Sequence, residues 1–340
     1  MLLTELQKIT YLRPEVIGGR TLPLLPLWDG VAWHHWLDAR DGRLLEVKIV
    51  DAARSNYVAK QAAKETDIWI FFVDLMWQRA SWPEIVPCIS GICDDFHAMG
   101  TSVAKLKHLF LTRDRGPETL VSSFAATELE YLTTVARSVF DLLQEAIAKI
   151  WNTFVRLSDA DEEKRRRRHQ IPDTFTKMVT KDRSTPYPPE HLTERYAMPR
   201  TVADKYAKHA AFFISLLRTR DSIVHGGKSM EVVFTTEKGF CVQPTRHPFS
   251  DVTWHPEDHY NDNIVSVLPW IAHIVLGTIS ACNDLMGAFA EAIMLPDKIA
   301  PDYLIFIRDP ASEALLELIK IANGEKIWWR NASLTPPSTE

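Results

Sequence analysis

Arg220, Asp221 and His225 are the group of side chains in this sequence that is best suited to chemistry. A histidine transfers protons near neutral pH, and such transfers typically contribute roughly 10²–10⁴-fold to a rate. A guanidinium stays charged and matches the oxygens of a phosphate with two parallel hydrogen bonds. Asp221 lies one helical turn before His225, so its carboxylate could orient the imidazole or pair with an arginine. These residue types favour proton transfer beside a bound phosphate.

A helix over residues 203–227 is predicted to carry these three residues. Its apolar residues recur at spacings of three and four, which is typical of an amphipathic helix. The members of this apolar face are Ala203, Tyr206, Ala210, Phe213 and Leu217. Arg220 and Asp221 stand where the next core-facing residue is expected. Because burying an unpartnered charge costs several kcal/mol, this end of the helix is expected to open onto a polar cleft or to meet partners across an interface.

The sequence Arg220-Asp221-x-x-x-His225 resembles the signature of the HEPN superfamily, in which an arginine, a polar residue, a short gap and a histidine lie near the end of a long helix. The resemblance is close over residues 203–227 and extends loosely over residues 124–295. It implies a mainly α fold, a HEPN-like bundle of four to five long helices that often dimerises. The patterns elsewhere in the chain add two small β-hairpins to this expected fold.

The active members of the HEPN superfamily cleave RNA without a metal, so the resemblance implies an endoribonuclease with no cofactor. The ribose 2′-hydroxyl would be the internal nucleophile. The protein would then deprotonate it, stabilise the phosphorane charge and protonate the leaving 5′-oxygen. Arg220 and His225 are implied as the catalytic pair, and Asp221 as the residue that orients His225 or pairs with an arginine.

Arg218 competes with Arg220 for the phosphate-binding role. Residues 220 and 225 point about 140° apart on a straight helix, whereas residues 218 and 225 point the same way. The resemblance implies that a second protomer completes the groove, so a homodimer is expected. An Arg-Asp pair near a helix end is also often a cap or an interface salt bridge. The alternative is therefore a non-catalytic HEPN-like module that binds RNA or a partner protein.

A run of cations offers a second possible contact for phosphates. The net charge of -5 gives no overall attraction to nucleic acid, so binding would need a local basic patch. The densest patch follows an acidic stretch in a segment rich in proline, residues 158–200, which is predicted as a mobile loop. The arginines that we predict to bind substrate there are Arg165, Arg166, Arg167 and Arg168. The alternative is a solvated charge run that its acidic neighbours neutralise.

The chain is expected to divide into three parts. Residues 1–120 would hold an amino-terminal hairpin and helices packed on the bundle. Residues 121–295 would form the bundle itself, with the basic, proline-rich loop and a hairpin at 230–243. Residues 296–340 would form a carboxy-terminal extension of a strand and a helix. At 340 residues, one large domain or two smaller ones fit the length.

Individual elements follow from local patterns. Alternating residues around Asp41-Gly42 predict a hairpin over 31–50. Residues 52–80 are predicted as helical, and Pro256 is expected to open a helix that continues to residue 294. An apolar run at 304–307 predicts a short strand.

No membrane span, metal or secretion signal is expected. Residues 264–282 contain no Asp, Glu, Lys or Arg, but their polar residues and missing basic flanks favour the centre of a bundle. The His255 and His259 pair lacks a shared helical face, because Pro256 lies between them at the start of the predicted helix. The four cysteines form no close pair. A cytoplasmic protein is therefore expected.

Overall fold

The structure is a computed structural model that describes residues 1–21, 24–115, 117–226 and 232–329. The chain is 54% helical and 12% strand. Its strands form one sheet of six strands and one of three strands. The protein therefore has an α/β fold, and the predicted mainly α bundle with two small hairpins is wrong.

Nine strands lie in the described ranges, and the predicted hairpin around Asp41-Gly42 is among them. Gly42 has φ of 82°, a left-handed conformation that glycine adopts at little cost. In chain order the strands are β1 (Leu27–Trp28), β2 (Trp33–Asp38), β3 (Leu44–Ile49), β4 (Ser55–Ala59), β5 (Ile68–Trp69), β6 (Phe234–Thr235), β7 (Phe240–Val242), β8 (Val265–Ser266) and β9 (Leu304–Arg308).

The larger sheet has the strand order β3-β2-β1-β4-β9-β5. Strands β1 and β4 are parallel, and the other neighbours are antiparallel. The predicted strand at 304–307 is confirmed as β9, but it lies between β4 and β5, with Phe306 opposite Tyr57. This long-range pairing turns the amino-terminal hairpin into part of a mixed sheet.

Aromatic rings and one arginine hold the middle of this sheet. The ring of Tyr57 lies 5.0 Å from that of Trp33 and 5.6 Å from that of Phe306. Arg308, which is 4% exposed, places its guanidinium 4.8 Å from the Trp33 ring and donates to both carboxylate oxygens of Asp67 at 2.9 and 2.7 Å. Arg308 can therefore lie in the core at the end of β9, because its ion-pair partner Asp67 is buried with it.

Nine α-helices lie in the described ranges. In chain order they are α1 (Phe71–Arg79), α2 (Val86–Leu111), α3 (Glu118–Lys149), α4 (Ala160–Arg168), α5 (Phe175–Val179), α6 (Pro189–Tyr196), α7 (Arg200–Gly226), α8 (Leu268–Ala292) and α9 (Ser312–Ala322). A π-helical turn, Ile150–Phe154, extends α3. The helices α2, α3, α7 and α8 are much longer than the others.

The chain divides into two compact units, and each of the four long helices contributes residues to both. The first unit consists of Met1–His97, Ser138–Ile214 and Ile279–Ser312, and the second of Ala98–Arg137, Ser215–Thr278 and Glu313–Glu340. The six-stranded sheet belongs to the first unit. The three-stranded sheet, in the order β6-β7-β8, belongs to the second unit.

Each unit has its own aromatic core. In the first unit, the rings of Phe140, Phe175 and Phe213 lie 4.8 to 5.4 Å apart. In the second unit, Phe110 lies 5.9 Å from Phe240 and 6.0 Å from Trp329. These large buried rings supply much of the apolar area that stabilises each unit.

Three predicted elements differ from the structure. Residues 52–80, predicted as one helix, contain β4 and β5 before α1 begins. Residues 158–200, predicted as a mobile loop, contain α4, α5 and α6. Pro256 opens only a single 3-10 turn, Pro256–Asp258, because the chain then enters β8 before α8 begins. In each case a tertiary pairing or a short helix replaces what local periodicity suggested.

Helix α8 is, among the described residues, the one helix that is long and apolar enough to cross a membrane. However, 56% of its most apolar window is buried inside the protein. A helix in the core of a protein can pass the same test of length and composition.

Candidate functional site at the end of helix α7

Helix α7 carries the predicted site, and its core-facing stripe is confirmed. Tyr206 and Phe213 are fully buried, and Leu217 is nearly so. The helix continues without a break to Gly226, so position 225 lies in its last turn. The side chain of His225 and the whole of Gly227 lie outside the described residues.

The charged residues of the motif are only partly shielded from solvent. Arg220 and Asp221 are 34% and 29% exposed, and an Nη1 atom of Arg220 lies 3.3 Å from Oδ1 of Asp221. Arg218, two residues earlier, is exposed. The pair Arg220 and Asp221 therefore forms a half-buried ion pair on the flank of the helix, and Arg218 faces solvent.

The unbroken helix decides which arginine shares a face with position 225. Because α7 stays helical to Gly226, positions 220 and 225 leave it about 140° apart, whereas positions 218 and 225 differ by about 20°. Within one chain, Arg218 is therefore on the face of position 225, and Arg220 is on another.

A polar cluster that the sequence did not reveal lies one to two turns earlier on α7. It consists of Ser215 and Thr219 on the helix and of His247 and Asp251 on the segment after β7. Ser215 Oγ donates to Asp251 Oδ2. Thr219 Oγ1 lies 3.1 Å from His247 Nε2, and His247 Nδ1 lies 4.0 Å from Asp251 Oδ2.

The hydroxyl of Thr219 connects the helix backbone to His247. It lies 2.9 Å from the carbonyl oxygen of Ser215, to which it donates, and 3.1 Å from Nε2 of His247. Nδ1 of His247 faces Asp251. The imidazole is 43% exposed, so solvent or a ligand can reach it.

A second histidine, His273 on α8, also interacts electrostatically with the carboxylate of Asp251. Neighbouring protein atoms partly desolvate the exposed ring of His273 and lower its pKa, and the nearby charge of Asp251 opposes this shift in part. The cluster therefore combines imidazole and carboxylate groups beside α7, within the second unit. The spacing Ser215-x-x-x-Thr219 was its only signal in the sequence, and His247 and Asp251 lie in an irregular segment without periodicity.

The arginines of the basic run differ in how deeply they are buried. Arg166 is 2% exposed and donates to Glu163 and to the carbonyl of Trp151. Arg165 is half-buried, whereas Arg167 and Arg168 are exposed. Of these four arginines, only the last two are thus exposed, and Arg167 also pairs with Glu163 at 2.7 Å. The run lies in the first unit and Arg218 in the second.

The described side chains contain no group of three or more His, Cys, Asp or Glu residues that could hold a metal ion. His255 and His259 flank the short Pro256–Asp258 turn, where the backbone N–H of His255 donates to Asp258.

Comparison of the chain with models of known families, with curated proteins and with solved structures finds no significant match. The likeness to the HEPN superfamily therefore depends on the residues of the motif and on their position at the end of α7.

Proposed function

We propose that this protein is a HEPN-like, metal-independent endoribonuclease whose site lies at the carboxyl end of α7. The observation that carries the proposal is the position of the motif. Residue 225 lies in the last turn of a long, unbroken helix that ends at Gly226. Arg218 is exposed there, and Arg220 and Asp221 are half-buried rather than sealed in the core.

The proposed reaction is cleavage of RNA by its own 2′-hydroxyl. That oxygen loses its proton to a base and attacks phosphorus, and the bond from phosphorus to the 5′-oxygen breaks. The leaving 5′-oxygen gains a proton, so the products carry a 2′,3′-cyclic phosphate and a 5′-hydroxyl. His225 would serve proton transfer, and an arginine would bind the phosphate oxygens.

We further propose that the working form is a homodimer in the cytoplasm. The angle of about 140° between positions 220 and 225 on one helix supports a groove in which Arg220 of one chain meets His225 of the other. The burial of 56% of the most apolar window of α8 supports a protein that is not membrane-bound.

A second candidate function is non-catalytic binding of RNA or of a partner protein. The contact between Arg220 and Asp221 at 3.3 Å supports it, because an arginine held by a neighbouring carboxylate has fewer donors for a phosphate.

Purified protein is expected to cleave single-stranded RNA in excess EDTA, and the ends should be 2′,3′-cyclic phosphates. His225→Ala should lower the rate by roughly 10²–10⁴-fold, the usual contribution of a proton-transfer group. Arg218→Ala and Arg220→Ala should identify the arginine that binds phosphate. Gel analysis of labelled RNA measures each rate.

The matched control is His169→Ala, because His169 is an exposed histidine of the first unit. It should cleave like the wild type. Equal inactivity of the wild type and all folded variants on diverse RNAs would reject catalysis and favour the binding module. Loss of cleavage in EDTA that added metal restores would reject the metal-independent mechanism.

Mixing two inactive variants tests the dimer separately. If the site combines Arg220 of one protomer with His225 of the other, heterodimers of Arg220→Ala and His225→Ala contain one intact site. Co-refolded mixtures should then regain part of the wild-type rate, although each variant alone is inactive. A mixture that stays inactive while light scattering detects heterodimers would rule out a shared site.

A further inference from the structure

An open cleft lies in the second unit, beside the end of α9. Its volume is about 590 Å³, and its walls include Glu257, Lys320, Glu325, Lys326 and Trp328. Small-molecule sites commonly have volumes of roughly 300–1,000 Å³. The cleft is large enough for one nucleotide-sized ligand, and it contains no residue of the α7 site.

Trp328 is a fixed aromatic wall of this cleft. Its indole N–H donates to the carbonyl of Glu257 at 3.2 Å. Gly239 packs against the ring, since a Cβ built there would lie 3.6 Å from a ring carbon. The ammonium of Lys238 lies 5.7 Å from the ring centre, and the ring of Tyr260 lies 6.4 Å away.

Trp328 lines the cleft, whereas Lys238, Gly239 and Tyr260, which contact or approach the indole, do not. The ring is thus held in position by one set of contacts and presents its remaining surface to the cleft. A rigid aromatic surface of this kind stacks on planar rings, and base stacking contributes to nucleic-acid binding regardless of sequence.

The charges around the ring are both positive and negative. Lys326 is already paired with Glu317 at 2.7 Å. Among the described residues, by contrast, the side chains of Lys320, Glu257 and Glu325 have no ion-pair or hydrogen-bond partner. One lysine and two carboxylates therefore face the cleft with their binding capacity unused.

A ligand that uses all three features must be planar and aromatic, carry a negative group for Lys320 and offer N–H donors to the carboxylates. An ammonium binds phosphate as a point charge, and Glu side chains accept hydrogen bonds from the amino group of a base. We propose that the cleft binds a nucleotide whose base carries an amino group, either free or within an RNA strand. This inference does not depend on RNA cleavage at α7.

Calorimetric titration of the full chain with nucleoside monophosphates tests the proposal. The guanosine, adenosine and cytidine monophosphates should bind roughly tenfold or more tightly than uridine monophosphate, whose base has no amino group. Lys320→Ala should weaken binding of the monophosphates and leave that of the parent nucleosides unchanged. Glu325→Gln or Glu257→Gln should reduce the preference for amino-bearing bases.

Two matched controls use exposed residues elsewhere: Lys48→Ala for the lysine and Glu313→Gln for the carboxylates. Both should bind like the wild type. Lys320 is exposed, so its replacement should leave folding unchanged. A Trp328→Leu variant would also test the site, but it would remove packing contacts and could disturb folding. Short oligonucleotides form a second arm, and tighter binding of an oligonucleotide than of its monophosphate identifies an RNA strand as the source.

Absence of binding by every nucleotide and oligonucleotide overturns the proposal. Binding that is equal in the wild type and in Lys320→Ala, Glu325→Gln and Glu257→Gln overturns it as well. Nucleotide binding by the His225→Ala variant reports on the cleft, and RNA cleavage by the wild type reports on the α7 site, so failure of the two proposals can be told apart.

Discussion

Replacement of Arg166 by alanine is expected to lower the free energy of unfolding by about 3–5 kcal/mol, the usual loss when one partner of a buried ion pair is removed. The Arg166 guanidinium holds both oxygens of Glu163 at 2.7 and 2.8 Å and donates to the carbonyl of Trp151 at 2.7 Å. That carbonyl belongs to the π-helical turn after α3, where carbonyls lack helical partners. Urea unfolding followed by circular dichroism measures the change.

Arg167→Ala is the matched control for this prediction. Arg167 contacts the same Glu163 at 2.7 Å, but it is 65% exposed, so solvent screens the pair. Its variant should unfold close to the wild-type urea concentration. Equal midpoints for the Arg166 and Arg167 variants would contradict the structural role of Arg166.

Replacement of Arg308 by methionine is also expected to cost about 3–5 kcal/mol of the free energy of unfolding at neutral pH. Methionine keeps most of the volume, but it leaves the 2% exposed carboxylate of Asp67 without its forked donor. Tyr57 remains as a donor to Asp67 at 2.6 Å. Chemical denaturation of both proteins measures the difference.

The effect of this substitution should depend on pH. Burial by itself raises the pKa of Asp67, but hydrogen bonds from Arg308 and Tyr57 outweigh it and hold the pKa below its usual value. The stabilisation is therefore fully present above the ordinary carboxyl pKa of about 4 and is lost as the pH falls through the lowered value. Without Arg308, burial dominates and Asp67 takes up a proton more readily.

The stability difference between wild type and Arg308→Met should thus be largest near neutral pH and shrink in acid. Arg43→Met is the control on the same sheet. Arg43 pairs with Asp41 on the surface and is 60% exposed, so its variant should follow the wild type at every pH. A difference for Arg308→Met that stays constant across pH would exclude the Asp67 carboxylate as its cause.

The long helices were predictable because their signals are local. The stripe from Tyr206 to Leu217 repeats over several turns, and the glycines after His225 mark an end. The hairpin around Asp41-Gly42 and the strand at 304–307 were predictable for the same reason. Each element carries its own pattern of apolar residues or turn residues.

The sheet as a whole was not predictable from these patterns. Strands β1 and β5 have two residues each, too few for any alternation. The apolar run at 68–73 suggested one helix, but its first two residues pair with Ile307 and Phe306. That pairing depends on a strand far along the chain, which no local window contains.

The candidate site was predictable in its motif and not in its surroundings. The sequence placed Arg218, Arg220 and Asp221 at a helix end. Apart from the spacing between Ser215 and Thr219, however, nothing in it indicated that Thr219 would contact His247. From the sequence alone, Arg166 could not be distinguished from the neighbouring arginines. Only the fold distinguishes it, because the 3-residue spacing to Glu163 and the nearby end of α3 bury this one guanidinium.

The division of each long helix between both units has a consequence for inheritance. Boundaries between the units fall inside α2, α3, α7 and α8, so no continuous stretch of the gene encodes one complete unit. Recombination that moved a single segment would carry broken helices with exposed apolar faces. The two units are therefore expected to be transmitted, synthesised and degraded together, as one block of sequence.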